Sequence, residues 1–148
     1  MLLSSYSKYG LRAMIRLAIL SENGEKPATV REIANTENIS IKYLESIFSI
    51  LKRSGLITAR KGKTGGYRLI RDPSQITVLE IIEALEGRLS PVECLTHQNS
   101  CNFNPLTCTV HPLWTELYST INNTLQKYTL NDIMKDILNN QQNPVVTH

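Results

Sequence analysis

Cys94, Cys101, Cys108 and His111 follow one another as C-x6-C-x6-C-x2-H, and the three cysteines are all that the chain has. Thiolate and imidazole are soft donors that select zinc, copper(I) or iron-sulfur clusters, so this stretch has the donor count of a tetrahedral or cluster site. The residues between them are polar and turn-forming, with Asn99, Asn102, Asn104 and Pro105, which predicts a loop able to wrap a cofactor. His97, in a Cys94-x-x-His97 pair, offers a rival imidazole. Other fates compete for the thiols: a disulfide with one cysteine left over, inert scattered thiols, or structural zinc. Lys8, Arg12 and Arg16 interrupt the stretch from Met1 to Leu20, which therefore lacks the apolar core of a signal peptide. A reducing, cytoplasmic setting follows as the expectation, and there thiols stay free or bind metal. Familiar structural zinc sites pair ligands roughly two to four residues apart, whereas longer gaps suit a looser loop. No Cys-His pair is accompanied by a third orienting residue or a substrate motif, so neither an enzyme nor a small-molecule substrate is expected.

Charge is segregated along the chain. From Ser46 to Arg71 there is no acidic residue, while Lys52, Arg53, Arg60, Lys61, Lys63, Arg68 and Arg71 give a local +7 within a chain of formal net charge +3. Such a patch is an electrostatic footprint for a polyanion. At 148 residues the chain makes one compact domain, or a small domain with an added dimerisation element, and it holds no apolar run long enough for a bilayer.

These residues need elements to position them. Apolar residues at helical spacing predict a first helix from about Lys8 to Ser21, followed by the polar S-E-N-G-E-K-P loop, and a short second helix over 30–36 capped by Thr29. Asn38 marks a turn. Ser40 then caps a third helix over 41–54, with Leu44, Ile47, Phe48 and Leu51 on one face and Gly55 at its end. Two helices split by a brief turn are a helix-turn-helix candidate. Short β-type runs over 56–60 and 67–70 bracket K-G-K-T-G-G, a cationic hairpin that makes the motif a winged one. It lacks the spacing of a nucleotide phosphate loop. Lys42, Tyr43, Glu45 and Ser46, at the start of the third helix, are expected to meet base edges or phosphates of double-stranded DNA, with Arg60, Lys61 and Lys63 anchoring the wing.

Thr77 and Glu80 form a capping box for a helix closing at Gly87. Pro112 suits the first turn of a long helix whose apolar stripe comprises Trp114, Leu117, Tyr118, Ile121, Leu125 and Tyr128. The expectation is that this stripe is buried against a twofold mate, with Trp114, Leu117, Tyr118, Ile121 and Leu125 at the interface. The fold class expected is mainly α: a winged helix-turn-helix domain with a two-stranded wing and a long C-terminal dimerisation helix. The parts are a DNA-binding domain over 1–87, a cysteine-rich loop over 88–111, a dimerisation region over 112–138 and a flexible tail over 139–148.

The combination of K-Y-G-L-R-A-M, I-S-I-K-Y-L-E-S-I-F-S-I-L-K-R-S-G-L-I, G-G-Y-R-L, the three cysteines and H-P-L-W resembles the bacterial winged-helix regulators typified by IscR, with NsrR, RirA and CymR as relatives. The resemblance covers nearly the whole chain. It implies a homodimeric transcription regulator, a repressor of iron-sulfur biogenesis or related stress genes, whose operator binding responds to an iron-sulfur cluster in each cysteine loop. CymR-like relatives lack the cysteines and carry no cluster. NsrR-like proteins complete a [4Fe-4S] site with an Asp where Lys8 stands here, while IscR-like proteins use a His placed as His111 with a [2Fe-2S] cluster. The resemblance therefore favours [2Fe-2S] over [4Fe-4S], with Cys94, Cys101, Cys108 and His111 as ligands. The alternatives it leaves are a nitric-oxide- or iron-responsive [4Fe-4S] regulator of the same family and a DNA-binding protein with structural zinc. Two departures stand out: the cysteine gaps are slightly longer than in IscR-like proteins, and Lys61 occupies the place of a wing Arg.

Overall fold

The computed structural model describes residues 3–21, 27–97, 100–102 and 104–142. The order is α1 (Ser5–Leu20), α2 (Val30–Glu37), α3 (Ile41–Arg53), β1 (Ile57–Arg60), β2 (Gly66–Leu69), α4 (Val78–Glu86), α5 (His111–Lys127) and α6 (Leu130–Gln142). This is a winged helix-turn-helix, as the sequence predicts.

Local chemistry places the helix starts. Thr29 with Glu32 and Thr77 with Glu80 each form a complete capping box, and the Ser40 hydroxyl accepts from the Tyr43 amide. Such caps satisfy donors that a helix cannot satisfy internally. At Glu80 burial pushes the carboxyl upward, but hydrogen bonds from Thr77 and the Arg71 guanidinium outweigh it and hold the group below its ordinary value. The α1 helix begins three residues earlier than periodicity predicts. Ser4 caps it, and the carboxylate of Glu86, from the distant end of α4, accepts from the Ser4 amide at 2.6 Å. The Ser4 hydroxyl accepts from the Ser7 amide and is a local signal, but the partner of the Ser4 amide comes from 82 residues away, which no local pattern reveals.

The main core lies under the helix-turn-helix. Met14 and Leu17 of α1, Ile33 of α2, Leu44, Ile47, Phe48 and Leu51 of α3, Ile81 of α4 and Leu130 of α6 are fully buried together. Tyr67 of the wing packs edge-on to Phe48 at 4.8 Å between ring centroids. Ala28 and Tyr67 exchange main-chain hydrogen bonds of 3.1 and 2.7 Å, tying the segment before α2 to the wing. Gly66, at φ +153°, makes this approach possible, because a Cβ there would stand 2.6 Å from the Ala28 carbonyl oxygen.

The C-terminal part departs from expectation. A single region over 112–138 is predicted, yet the chain breaks after Lys127 and turns back as α6. The Val78 amide donates to the Tyr128 carbonyl at 2.9 Å and the Leu130 amide to that of Ile76 at 3.0 Å, so a short antiparallel bridge stops α5. Ile133 and Ile137 of α6 then pack against the main core. A signal was present: Thr129 and Asp132 exchange cap hydrogen bonds of 2.9 and 3.2 Å. The predicted flexible tail is likewise helical from Asn139 to Gln142; its remainder, 143–148, lies outside the described residues, as do 22–26 of the predicted loop and Asn99.

Candidate nucleic-acid interface and cysteine loop

On α3 the apolar residues Leu44, Ile47, Phe48 and Leu51 face the core, which leaves Lys42, Glu45, Ser49 and Lys52 exposed along the opposite face. Lys42 and Glu45 thus stand where a groove could meet them. Tyr43 and Ser46 are turned partly inward. The Tyr43 ring lies edge-on to Tyr6 at 5.1 Å and to Tyr9 at 5.9 Å between centroids, while the Ser46 hydroxyl donates to the Tyr43 carbonyl at 2.6 Å and lies 3.0 Å from the Tyr6 hydroxyl. Burial and the neighbouring Tyr6 and Tyr9 raise the Tyr43 phenol above its ordinary value, so it remains neutral. Ser49 went unmarked in the sequence, although it lies four residues after Glu45 and seven after Lys42, on their helical face.

In the wing, Ile57 pairs with Leu69, Thr58 with Arg68, Ala59 with Tyr67 and Arg60 with Gly66. Paired residues share a face, so Ile57 and Tyr67 turn to the core while Thr58, Arg60 and Arg68 turn outward. Lys61 and Lys63 are exposed at the tip, where the Gly65 amide closes a turn onto the Gly62 carbonyl at 3.0 Å. Arg71 is withdrawn from the basic patch: it pairs with Glu80 at 2.7 Å.

The cysteines lie between α4 and α5. Cys94 sits half-buried in a 3-10 turn over Glu93–Leu95, Cys101 is exposed, and Cys108 is half-buried; all three are free thiols. The His111 amide donates to the Cys108 carbonyl at 3.3 Å, placing these two potential ligands on one turn at the start of α5. Nδ1 of His111 is 3.4 Å from the Thr115 hydroxyl. Nδ1 of His97 is 3.0 Å from the Thr96 hydroxyl. Among the described residues, no three His, Cys, Asp or Glu side chains are grouped closely enough to hold a metal ion. The donor chemistry nevertheless fits a thiophilic group: the thiols are not cross-linked, and none is fully buried in the core. Part of the apolar stripe of the long helix packs within its own chain. Ile121 and Leu125 pack against Val78, Ile82 and Leu89 of their own chain, and Tyr128 leaves the helix at its C-terminal cap. Trp114 and Tyr118 are half-buried. Leu113 and Leu117 stay 58% and 39% exposed, beside Val110 at 48% and Leu106 at 93%. The Asn122 amide adds a bond to the Leu89 carbonyl at 3.4 Å, fastening α5 where the loop begins. No helix among the described residues is long and apolar enough to cross a membrane.

Comparison with known proteins places this arrangement. A family profile described as "Rrf2: Iron-dependent Transcriptional regulator" matches residues 3–136. Protein rrf2 of Nitratidesulfovibrio vulgaris is 34% identical over 136 residues, covering 92% of this chain and 89% of that protein. The structure of CymR, the global cysteine regulator of B. subtilis, superposes with a TM-score of 0.75 at 36% identity, covering 91% of this chain and 97% of the other. That of T. potens IscR superposes at 0.74 with 31% identity, covering 93% and 88%.

Proposed function

The chain belongs to the Rrf2 family of DNA-binding transcriptional regulators, and from that premise we propose that it is a repressor whose operator binding follows an iron-sulfur cluster held by Cys94, Cys101, Cys108 and His111. The observation that carries this reading is the placement of four soft donors on one loop that the rest of the fold leaves unused. A bound cluster would supply a redox-active, chemically labile centre whose loss or conversion reports iron, oxygen or nitric oxide. Cys108 and His111 already share a turn, so gathering Cys94 and Cys101 toward them orders the loop against the start of α5. A neutral imidazole in place of a fourth thiolate lowers the negative charge of the site and would raise the cluster potential, while the resemblance of the His111 position to IscR-like proteins is what favours [2Fe-2S] over [4Fe-4S].

The division of labour we propose has residues 1–87 read DNA, 88–111 hold the cluster and α5 pair two chains. Lys42, Tyr43, Glu45 and Ser46 then form the reading surface, with Lys42 and Glu45 in the groove and Tyr43 and Ser46 supporting them from behind; Arg60, Lys61 and Lys63 hold phosphates or the minor groove. Pairing would cover Leu113 and Leu117 beside Trp114 and Tyr118. Ile121 and Leu125, assigned to the interface from sequence, also pack on Val78, Ile82 and Leu89 of their own chain and so tie that seam to α4. A dimer presents two reading heads to two half-sites.

Anaerobic purification tests the cofactor. A brown protein with visible absorbance, lost when Cys94, Cys101 or Cys108 becomes Ala, supports the cluster; a colourless protein containing stoichiometric zinc supports the second reading, structural zinc. That reading draws on the close Cys108 and His111 pair, whose x2 spacing suits zinc.

A further inference from the structure

Glu37 is the last residue of α2, and its position is electrostatically unfavourable. A carboxylate there meets the negative end of the helix dipole. Its side chain is also only 10% exposed, and a buried charge is tolerated only when it is paired. The partners come from α1. Nε of Arg16 donates to Oε1 at 2.8 Å and Nε of Arg12 to Oε2 at 3.1 Å, while Nη2 of Arg12 donates to the Glu37 carbonyl at 3.1 Å. Two arginines one turn apart thus hold both the side chain and the main chain of the residue from which the interhelical turn departs. Asn38, the next residue, is in the left-handed conformation at φ 53°, the one such non-glycine among the described residues. The Arg12 guanidinium also lies over the Tyr9 ring at 5.7 Å, and Tyr9 meets Tyr43 at the start of α3. One face of α1 therefore grips the end of α2 by charge and the beginning of α3 by aromatic contact.

We infer that Glu37 is a positioning residue for sequence discrimination: held by Arg12 and Arg16, it sets the turn that aims Lys42 and Glu45 of α3. The inference rests on the reading that the exposed face of α3 enters a DNA groove. A charge that costs stability where it stands, and that the surrounding side chains are arranged to hold, specifies geometry rather than bulk stability. Phosphate contacts by the wing set general affinity, whereas base-edge contacts depend on the angle of α3.

The test uses the full chain and two duplexes: one selected by the native protein from a random-sequence pool, and a scrambled duplex of the same composition. Glu37→Gln should lower the affinity ratio between selected and scrambled DNA about tenfold, the size of one charge-assisted hydrogen bond. Affinity for the scrambled duplex, its salt dependence and the melting temperature should stay near native values. An unchanged ratio overturns the inference, and so does an equal fall in affinity for both duplexes, which marks simple loss of folded protein. If Glu37→Gln does not fold, Arg16→Gln removes the same bond from the α1 side while Arg12 still neutralises the carboxylate, and it must show the same loss of discrimination. A native protein that selects no sequence from the pool overturns the reading of α3 as well. Selection by the native protein with undiminished discrimination in both variants removes the role of Glu37 alone.

Discussion

Around the helix-turn-helix, bonds reach far along the chain: Arg12 and Arg16 to Glu37, Tyr6 to Ser46, and Ala28 to Tyr67. From Ser90 to Val110, by contrast, hydrogen bonds among the described residues that start within the loop span no more than four positions. The α3 helix buries Leu44, Ile47, Phe48 and Leu51, whereas α5, though longer, has no fully buried residue. The helix-turn-helix is fully packed on its own core. The cysteine loop has few long-range contacts of its own, and segments with few buried contacts are those whose order a ligand or partner can change.

The sharpest way to break this contrast is through packing. Phe48→Ala should cost about 3–5 kcal/mol, as for other buried aromatic truncations, whereas Leu106→Ala in the loop should fall within about 0.5 kcal/mol of the native stability. Urea denaturation of both variants checks the pair, and comparable losses would mean that the loop is part of the core. Next come charges on the outer face of α5. Leu113→Glu with Leu117→Glu should leave the fold intact but cost several kcal/mol of dimer stability by burying unpaired carboxylates. Sedimentation velocity decides, and a folded, fully dimeric double variant removes this face from the interface.

Replacement of Cys94, Cys101 and Cys108 by Ala should leave the melting temperature of the metal-free protein unchanged while altering operator affinity relative to the cluster-loaded protein by roughly 5- to 150-fold, a typical coupling. Identical affinities under anaerobic conditions would uncouple the two regions. Lys61→Ala with Lys63→Ala should weaken binding to all duplexes and lower the salt slope by about two units; binding titrations across salt concentrations would expose an unchanged slope and an idle wing tip.

The smallest effect concerns pH. The Glu80 carboxyl titrates lower in the folded than in the unfolded chain, so its contribution is present above the unfolded value and disappears as pH falls through the folded one. Glu80→Gln should therefore reduce the urea midpoint near about pH 7 and converge on the native protein in acid. Equal differences at both pH values would assign the loss to geometry rather than charge.

The sequence by itself determined most of the reading head, because its signals are local. Ser40 and Thr29 cap the helices that follow them, Asn38 and Gly55 supply left-handed turns, and the spacing of Leu44, Ile47, Phe48 and Leu51 assigns the buried face of α3. The four soft donors were equally plain as residue types. Tertiary structure alone decided what depends on distant partners: Glu86 holding the Ser4 amide at the start of α1, the Thr77 to Thr129 bridge ending α5, the inward turn of Tyr43 and Ser46, and the packing of Ile121 and Leu125 on their own chain. The reason is physical. A cap or a helical face is encoded within a few residues, but a long-range bond or a shared apolar surface exists only once two segments have met, and the spacing within either one does not name the other.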